Sequence, residues 1–179
     1  MDMQIIKLAD SEELISIENH FKVMAGPGSG KTHWLVNHIK NVLRNSTRLL
    51  RNKKIACITY TNAAVEVITE RLSKDSFIIP ATIHSFAWNA IKQYQSYLVD
   101  VVTTDPDFLP DEGDFFKVNE VTYTLGHRYK ENGVQYLYHD DVLKLFCKLL
   151  DNAKFRRVFS DKYPLILIDE YQDSYKPII

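Results

Sequence analysis

Ala25-Gly26-Pro27-Gly28-Ser29-Gly30-Lys31-Thr32 decides how the rest of the chain is read. Alternating glycines permit positive φ and leave room for a phosphate to approach the backbone, so that successive N–H groups point at its oxygens. A helix beginning just behind such a loop adds its positive N-terminal end. Lys31 would reach the β- and γ-phosphates of a nucleotide, and the Thr32 hydroxyl would ligate Mg²⁺. The strict pattern opens on glycine; Ala25 stands there instead, a small residue compatible with the turn. The alternative is a glycine-rich turn that binds nothing. Against it stand the Lys-Thr pair and the apolar, strand-like run at residues 21–25.

On either side of the loop, apolar runs alternate with amphipathic ones. Residues 10–18 read as a short capped helix, and 32–44 as a helix with Leu35, Ile39, Val42 and Leu43 on one face. A buried strand is expected at 55–60, with Asn62 capping a helix to about residue 72. A third apolar piece at 77–79 ends near Thr82, followed by a helix over about 85–97 that carries Phe86, Trp88, Ile91 and Tyr94. Residues 105–114 are acidic, proline-bearing and without period, hence a loop. Two strands, 117–124 and 134–138, are expected to form a hairpin around Glu131-Asn132-Gly133. A helix then carries Val142, Leu143, Leu145, Phe146, Leu149 and Leu150, a basic turn holds Lys154, Arg156 and Arg157, and a last strand occupies 163–168.

That strand ends in Asp169-Glu170, and strands of a parallel sheet present their C-terminal ends to ligands. Asp169 would hold Mg²⁺ directly or through water, and Glu170 would polarise the water that attacks the γ-phosphate. The alternative is a solvated acidic turn. His139-Asp140-Asp141 allows two readings as well, a metal cluster or the ordinary acidic start of a helix.

A length of 179 residues suits one α/β domain with a small insertion. Hydrophobic content of 45% and charged content of 25% are those of a soluble protein, without a bilayer-spanning run. Residues 1–4 lack the pattern of a secretory leader, and Cys57 and Cys147 lack metal-ligand spacing. A cytoplasmic protein without a membrane partner is expected. The net charge of −1 does not advertise nucleic acid, although a local groove would suffice for it.

Four blocks stand in one order: residues 25–32; Thr59-Tyr60-Thr61-Asn62-Ala63-Ala64, continuing to Glu70-Arg71; Thr82-Ile83-His84-Ser85-Phe86; and Ile168-Asp169-Glu170-Tyr171-Gln172-Asp173-Ser174. In content, order and spacing they resemble superfamily 1 helicases of the UvrD/Rep/PcrA type. The second block is similar to that family's Thr-Phe-Thr-Asn-x-Ala motif and the third to its Thr-x-His-Ser-Phe motif. The fourth, similar to its Asp-Glu-aromatic-Gln-Asp motif, is the most specific.

The resemblance implies an α/β fold of P-loop NTPase type: a RecA-like parallel sheet flanked by helices over 1–98 and 139–179. A reduced inserted subdomain with a hairpin would occupy 99–138. It implies ATP and Mg²⁺ as cofactors, single-stranded DNA as partner, 3′ to 5′ translocation, and a second RecA-like domain in a monomeric motor. Lys31, Glu170 and Gln172 would be catalytic, with Gln172 coupling the γ-phosphate to the strand. Residues 25–32 would bind nucleotide, Thr32 and Asp169 the metal. Tyr60 would stack on a base, Thr61 and Asn62 would touch the strand backbone, and His84 and Phe86 would line the same groove. Each has a plainer alternative: a strand-end tyrosine, a helix cap, a core-packed pair and, for Gln172, a polar helix start.

The sequence also departs from the family. Ala63, Val65 and Val67 make the helix after Asn62 more apolar than usual. Residues 11–24 hold no glutamine to read adenine, which leaves Gln4. The sequence ends at Ile179, before the family's later motifs and its transition-state arginine. This chain alone is therefore expected to bind nucleotide, hydrolyse it poorly and not unwind. A nucleotide-gated switch module, or the motor part of a helicase-nuclease or defence system, would share the same blocks.

Overall fold

Ile55, Ala56, Cys57, Ile58 and Thr59 are all buried, as the middle strand of a parallel sheet must be when both of its faces are covered. The computed structural model that places them describes residues 4–6, 20–23, 28–45, 53–72, 76–109, 112–113 and 117–169. In chain order the strands and helices begin with β1 (Gln4–Ile6), β2 (Phe21–Val23), α1 (Lys31–Asn45), β3 (Ile55–Thr59) and α2 (Asn62–Arg71). They continue with β4 (Ile78–Thr82), α3 (Ile83–Ile91), α4 (Gln95–Thr104), β5 (Glu112–Gly113), β6 (Glu120–Thr124) and β7 (Tyr129–Glu131). The last are β8 (Val134–Tyr138), α5 (Asp141–Asp151), α6 (Ala153–Lys162) and β9 (Leu165–Ile168).

The chain divides into two compact units, residues 1–82 with 160–173 and residues 83–159 with 174–179. The first unit is mixed α/β. Its three-stranded parallel sheet runs β4-β3-β9, and β1 pairs parallel with β2. One face of α1, carrying Trp34, Leu35, Val36, Ile39 and Val42, joins Ile55, Cys57, Ile68, Leu72, Ile78 and Leu167 in one core. Phe21 and Val23 of β2 pack against the same core, so the segments on both sides of the glycine loop are tied to the sheet.

His38 lies inside this apolar packing at 0% exposure, with its ring stacked on Trp34 at 4.8 Å and edge-on to Phe21 at 5.7 Å. Neither ring nitrogen has a hydrogen-bond partner among the described residues. Burial therefore lowers its pKa from 6.5 and keeps it neutral. The unfolded chain then binds the extra proton below pH 6.5, so stability falls with acidification by at most about 1.4 kcal/mol per pH unit. Thermal melts between pH 7.5 and 5 are expected to show a smaller pH dependence for His38→Phe than for the native chain. An equal dependence in both would mean that His38 is hydrated in the native state.

In the second unit β6, β8, β7 and β5 form a sheet in the order β5-β7-β8-β6. The expected hairpin partners are parallel neighbours instead: β6 pairs with β8 from Glu120↔Val134 to Thr124↔Tyr138. The antiparallel hairpin is β7 with β8, closed by the two residues Asn132 and Gly133 at φ 50° and 78°. Such a two-residue turn with both φ positive matches the twist of paired strands. A side chain on Gly133 would also meet Asn119 Nδ2 at 3.0 Å and the Lys117 carbonyl oxygen at 3.3 Å.

The helix expected over 85–97 is two helices, broken between Ile91 and Gln95. The reason lies across the unit, where the Gln95 amide behaves like a strand partner: Nε2 donates to the Val121 carbonyl at 3.1 Å, and Val121 N donates to Oε1 at 2.9 Å. That satisfies part of the outer edge of β6, which a helix running through residue 95 would leave to water. The expected basic turn is also helical, since Lys154, Arg156 and Arg157 lie in α6. The helix expected at 10–18 falls outside the described residues. Among the described residues no helix is long and apolar enough to cross a membrane.

Candidate functional site

Gly28 and Gly30 adopt φ of +72° and +83°, the left-handed region in which a side chain is strained. Apart from the adjoining residues, no atom of the described residues lies within 4 Å of where a Cβ would stand on either. Trp34 N donates to the Gly30 carbonyl at 2.9 Å, which starts α1 directly at the loop. The amides of the first helical turn point out of the N-terminus, and that turn holds no acidic residue to offset its positive end. Lys31 and Thr32, the first two residues of α1, are half-buried. Ala25, Gly26 and Pro27, the first part of the loop, lie outside the described residues.

The C-terminal ends of β3, β4 and β9 share one edge of the first unit's sheet, because Thr59 is level with Thr82 and Ile58 with Ile168. Asp169 follows β9 there, and its N–H donates to the Ile58 carbonyl at 2.8 Å, extending the ladder by one step. Burial first, and the Asp169 carboxylate second, push the Cys57 thiol up to about 12 and leave it an unreactive core group. α1, which follows Gly30, and β9, which precedes Asp169, are anchored in the same core. Lys31 carries an ammonium donor and Thr32 and Asp169 carry oxygen atoms, the donor and ligand types that phosphate and Mg²⁺ respectively take. Glu170 and Gln172 lie outside the described residues.

Tyr60, Thr61 and Asn62 leave the same edge and are all exposed, with Tyr60 at 38%. The cap of α2 is Thr61, one residue before the expected one: its hydroxyl accepts from Ala64 N at 3.2 Å and its carbonyl from Val65 N at 3.1 Å. Asn62 is the first helical residue and presents its amide to solvent.

His84 and Phe86 belong to the second unit and diverge. Phe86 is 3% exposed, in edge-to-face contact with Phe146 at 6.4 Å and Phe159 at 6.0 Å, and anchors α3 on α5 and α6. His84 is half-buried, stacked on His139 with ring centroids 3.7 Å apart. Asp140 approaches His84 Nε2 at 3.5 Å. His139 and Asp140 lie more than fifty positions from His84, and local spacing links them only to Asp141. No group of three His, Cys, Asp or Glu among the described residues is arranged to hold a metal ion.

The sequence profile described as "UvrD/REP helicase N-terminal domain" matches residues 9–112, more than half of the chain. The Gabija protein GajB of Bacillus cereus strain VD045 is 30% identical over 182 aligned positions, covering 92% of this chain and 34% of that protein. Its namesake from strain HuB5-5 is 40% identical over 79 residues, 43% of this chain and 12% of that protein. The ATP-dependent DNA helicase srs2 of Schizosaccharomyces pombe is 30% identical over 102 residues, 52% of this chain and 11% of that protein. The chain thus spans from about a tenth to about a third of the length of these relatives.

Proposed function

The chain belongs to the UvrD/REP helicase N-terminal domain family, and from that membership we propose that it is the Mg-ATP-binding, RecA-like half of a DNA helicase motor that moves 3′ to 5′ along single-stranded DNA. The observation that carries the reading is the left-handed Gly28 and Gly30 opening directly into α1, on the same core as the strand that ends in Asp169. Lys31 and the amides of the first turn of α1 bind the β- and γ-phosphates, and Thr32 and Asp169 hold the metal. Mg²⁺, when bound, neutralises the charge that builds up between those phosphates. Glu170 orients and deprotonates the attacking water, and Gln172 links the γ-phosphate to the strand contacts. Tyr60 offers a ring to a base, Thr61 and Asn62 face the strand backbone, and Phe86 holds α3 so that His84 is fixed in place.

On this reading these residues by themselves turn ATP over slowly and do not separate strands, because an arginine from a second domain supplies much of the transition-state stabilisation in phosphoryl transfer. A second reading, in which the same half-motor serves a helicase-nuclease or a defence system, draws on the alignment with GajB, which takes in 92% of this chain against 52% for srs2. Calorimetric titration with ATP, with and without Mg²⁺, tests the primary reading together with anisotropy of a labelled single-stranded oligonucleotide. Metal-dependent nucleotide binding and strand binding by the same chain are expected. Strand separation by the chain alone would overturn the half-motor assignment, and nucleotide binding without any strand binding would leave a nucleotide-gated switch.

A further inference from the structure

Asn132 is the one asparagine in the sequence that glycine follows, and it stands exposed in the turn that closes β7 on β8. Such an asparagine can lose its side-chain amide without an enzyme, because glycine puts no side chain in the way of attack by its own backbone nitrogen. In that reaction Gly133 N bonds to Asn132 Cγ, the Cγ–Nδ2 bond breaks, and ammonia leaves with the proton that Gly133 N gave up. Water then opens the cyclic imide at one of its two carbonyls. The product is aspartate or isoaspartate, the second with one extra carbon in the main chain.

The closed turn forbids the first step. Asn132, at φ 50°, lies in the left-handed region, whose ψ of about +30 to +60° turns its Cβ to the far side of the Cα–C bond from Gly133 N. Gly133 is held as well: it is buried, and its carbonyl accepts from Asn119 N at 2.8 Å and from Glu120 N at 3.4 Å. We propose that Asn132 is a modification site gated by this hairpin, losing its amide only when the turn opens and, as isoaspartate, keeping the turn from closing again. Two features make the step one-way. The extra carbon spoils the two-residue spacing that the Glu131↔Val134 pair depends on. The new carboxylate also arrives next to Glu131, where Glu120 and Glu131 already flank Val134 from the two neighbouring strands and are both exposed. The second unit thus carries a chemical record of its own opening, and the chemistry needs neither nucleotide nor DNA.

Peptide mapping of the whole chain after incubation at mildly alkaline pH, with isoaspartate detected by methyl transfer from an isoaspartyl methyltransferase, tests this. Modification at Asn132 is expected to be at least about ten-fold slower in the native chain than in the same chain unfolded in urea, because the turn must open first. Tyr129→Ala removes the ring stacked on Tyr136 across the hairpin, at 4.3 Å. Loss of such a cross-strand pair should speed the native reaction by up to about five-fold and leave the rate in urea unchanged. Asn132→Gly keeps a turn with both φ positive and yields no product at this position. The isoaspartyl chain, separated from the unmodified one, should melt at a lower temperature, and Asn132→Asp, with the charge but not the extra carbon, should lose less. Equal rates in the native and unfolded chains, or no acceleration in Tyr129→Ala, overturns the gating. Absence of isoaspartate at this position even in urea, or an isoaspartyl chain that melts like the native one, overturns the site or its one-way character.

Discussion

Lys31→Ala is expected to weaken Mg-ATP binding by about 100-fold while leaving the melting temperature of the chain unchanged. The two halves of that expectation have separate causes. α1 begins at the loop through the bond from Trp34 N to the Gly30 carbonyl, and its buried face starts only at Trp34. Alanine at position 31 keeps that backbone bond and the core, and is a good helix former. What it removes, on the proposed reading, is a charged donor to the β- and γ-phosphates, and removal of one such preorganised donor costs about 10²-fold or more. Lys31→Arg is the informative companion, because it keeps the charge but replaces a compact ammonium with a wide planar fork. It should recover only part of the loss. Titration calorimetry of the three proteins, each checked by melting, decides the matter; equal affinities would remove Lys31 from the phosphate site.

The parts of this structure that sequence reading reached are those specified by neighbours along the chain. The run Ile55 to Thr59 is apolar without interruption because β3 is covered on both faces, and that needs no knowledge of what covers it. Gly28 and Gly30 advertise positive φ through their identity alone. The parts it missed are specified across the fold. Nothing in the spacing of Phe86, Trp88, Ile91 and Tyr94 ends a helix, and α3 stops before Gln95 so that this side chain can bond Val121, twenty-six positions later. β7, written Tyr129-Lys130-Glu131, is too polar to read as a strand, so local pattern joins the Asn132-Gly133 turn to 117–124 where the fold joins it to β7. The same limit applies at the candidate site: the third block marks His84, but only the fold brings His139 and Asp140 to it.

Asp141→Ala is expected to destabilise the second unit by about 3 kcal/mol, through charge rather than volume. Asp141 is 1% exposed and takes Arg128 Nε on Oδ2 and Arg128 Nη2 on Oδ1, both at 2.6 Å. Its Oδ2 also accepts the Tyr138 backbone N–H at 3.1 Å, and Lys144 Nζ lies 3.6 Å from Oδ1. One carboxylate thus joins the β6–β7 connection, the end of β8 and the first turn of α5. Alanine takes the carboxylate from the guanidinium of Arg128, whose side chain is only 19% exposed, and leaves the Tyr138 amide without that acceptor. Asp141→Asn retains an oxygen for Tyr138 N and should cost about half as much. Arg128→Met combined with Asp141→Leu removes both charges and should recover much of the loss, because desolvation of the pair then disappears with its attraction. Urea unfolding of the four proteins measures these differences, and a cost below about 1 kcal/mol for Asp141→Ala would show the pair to be screened like an exposed one. The same carboxylate fixes the turn that carries His139 and Asp140.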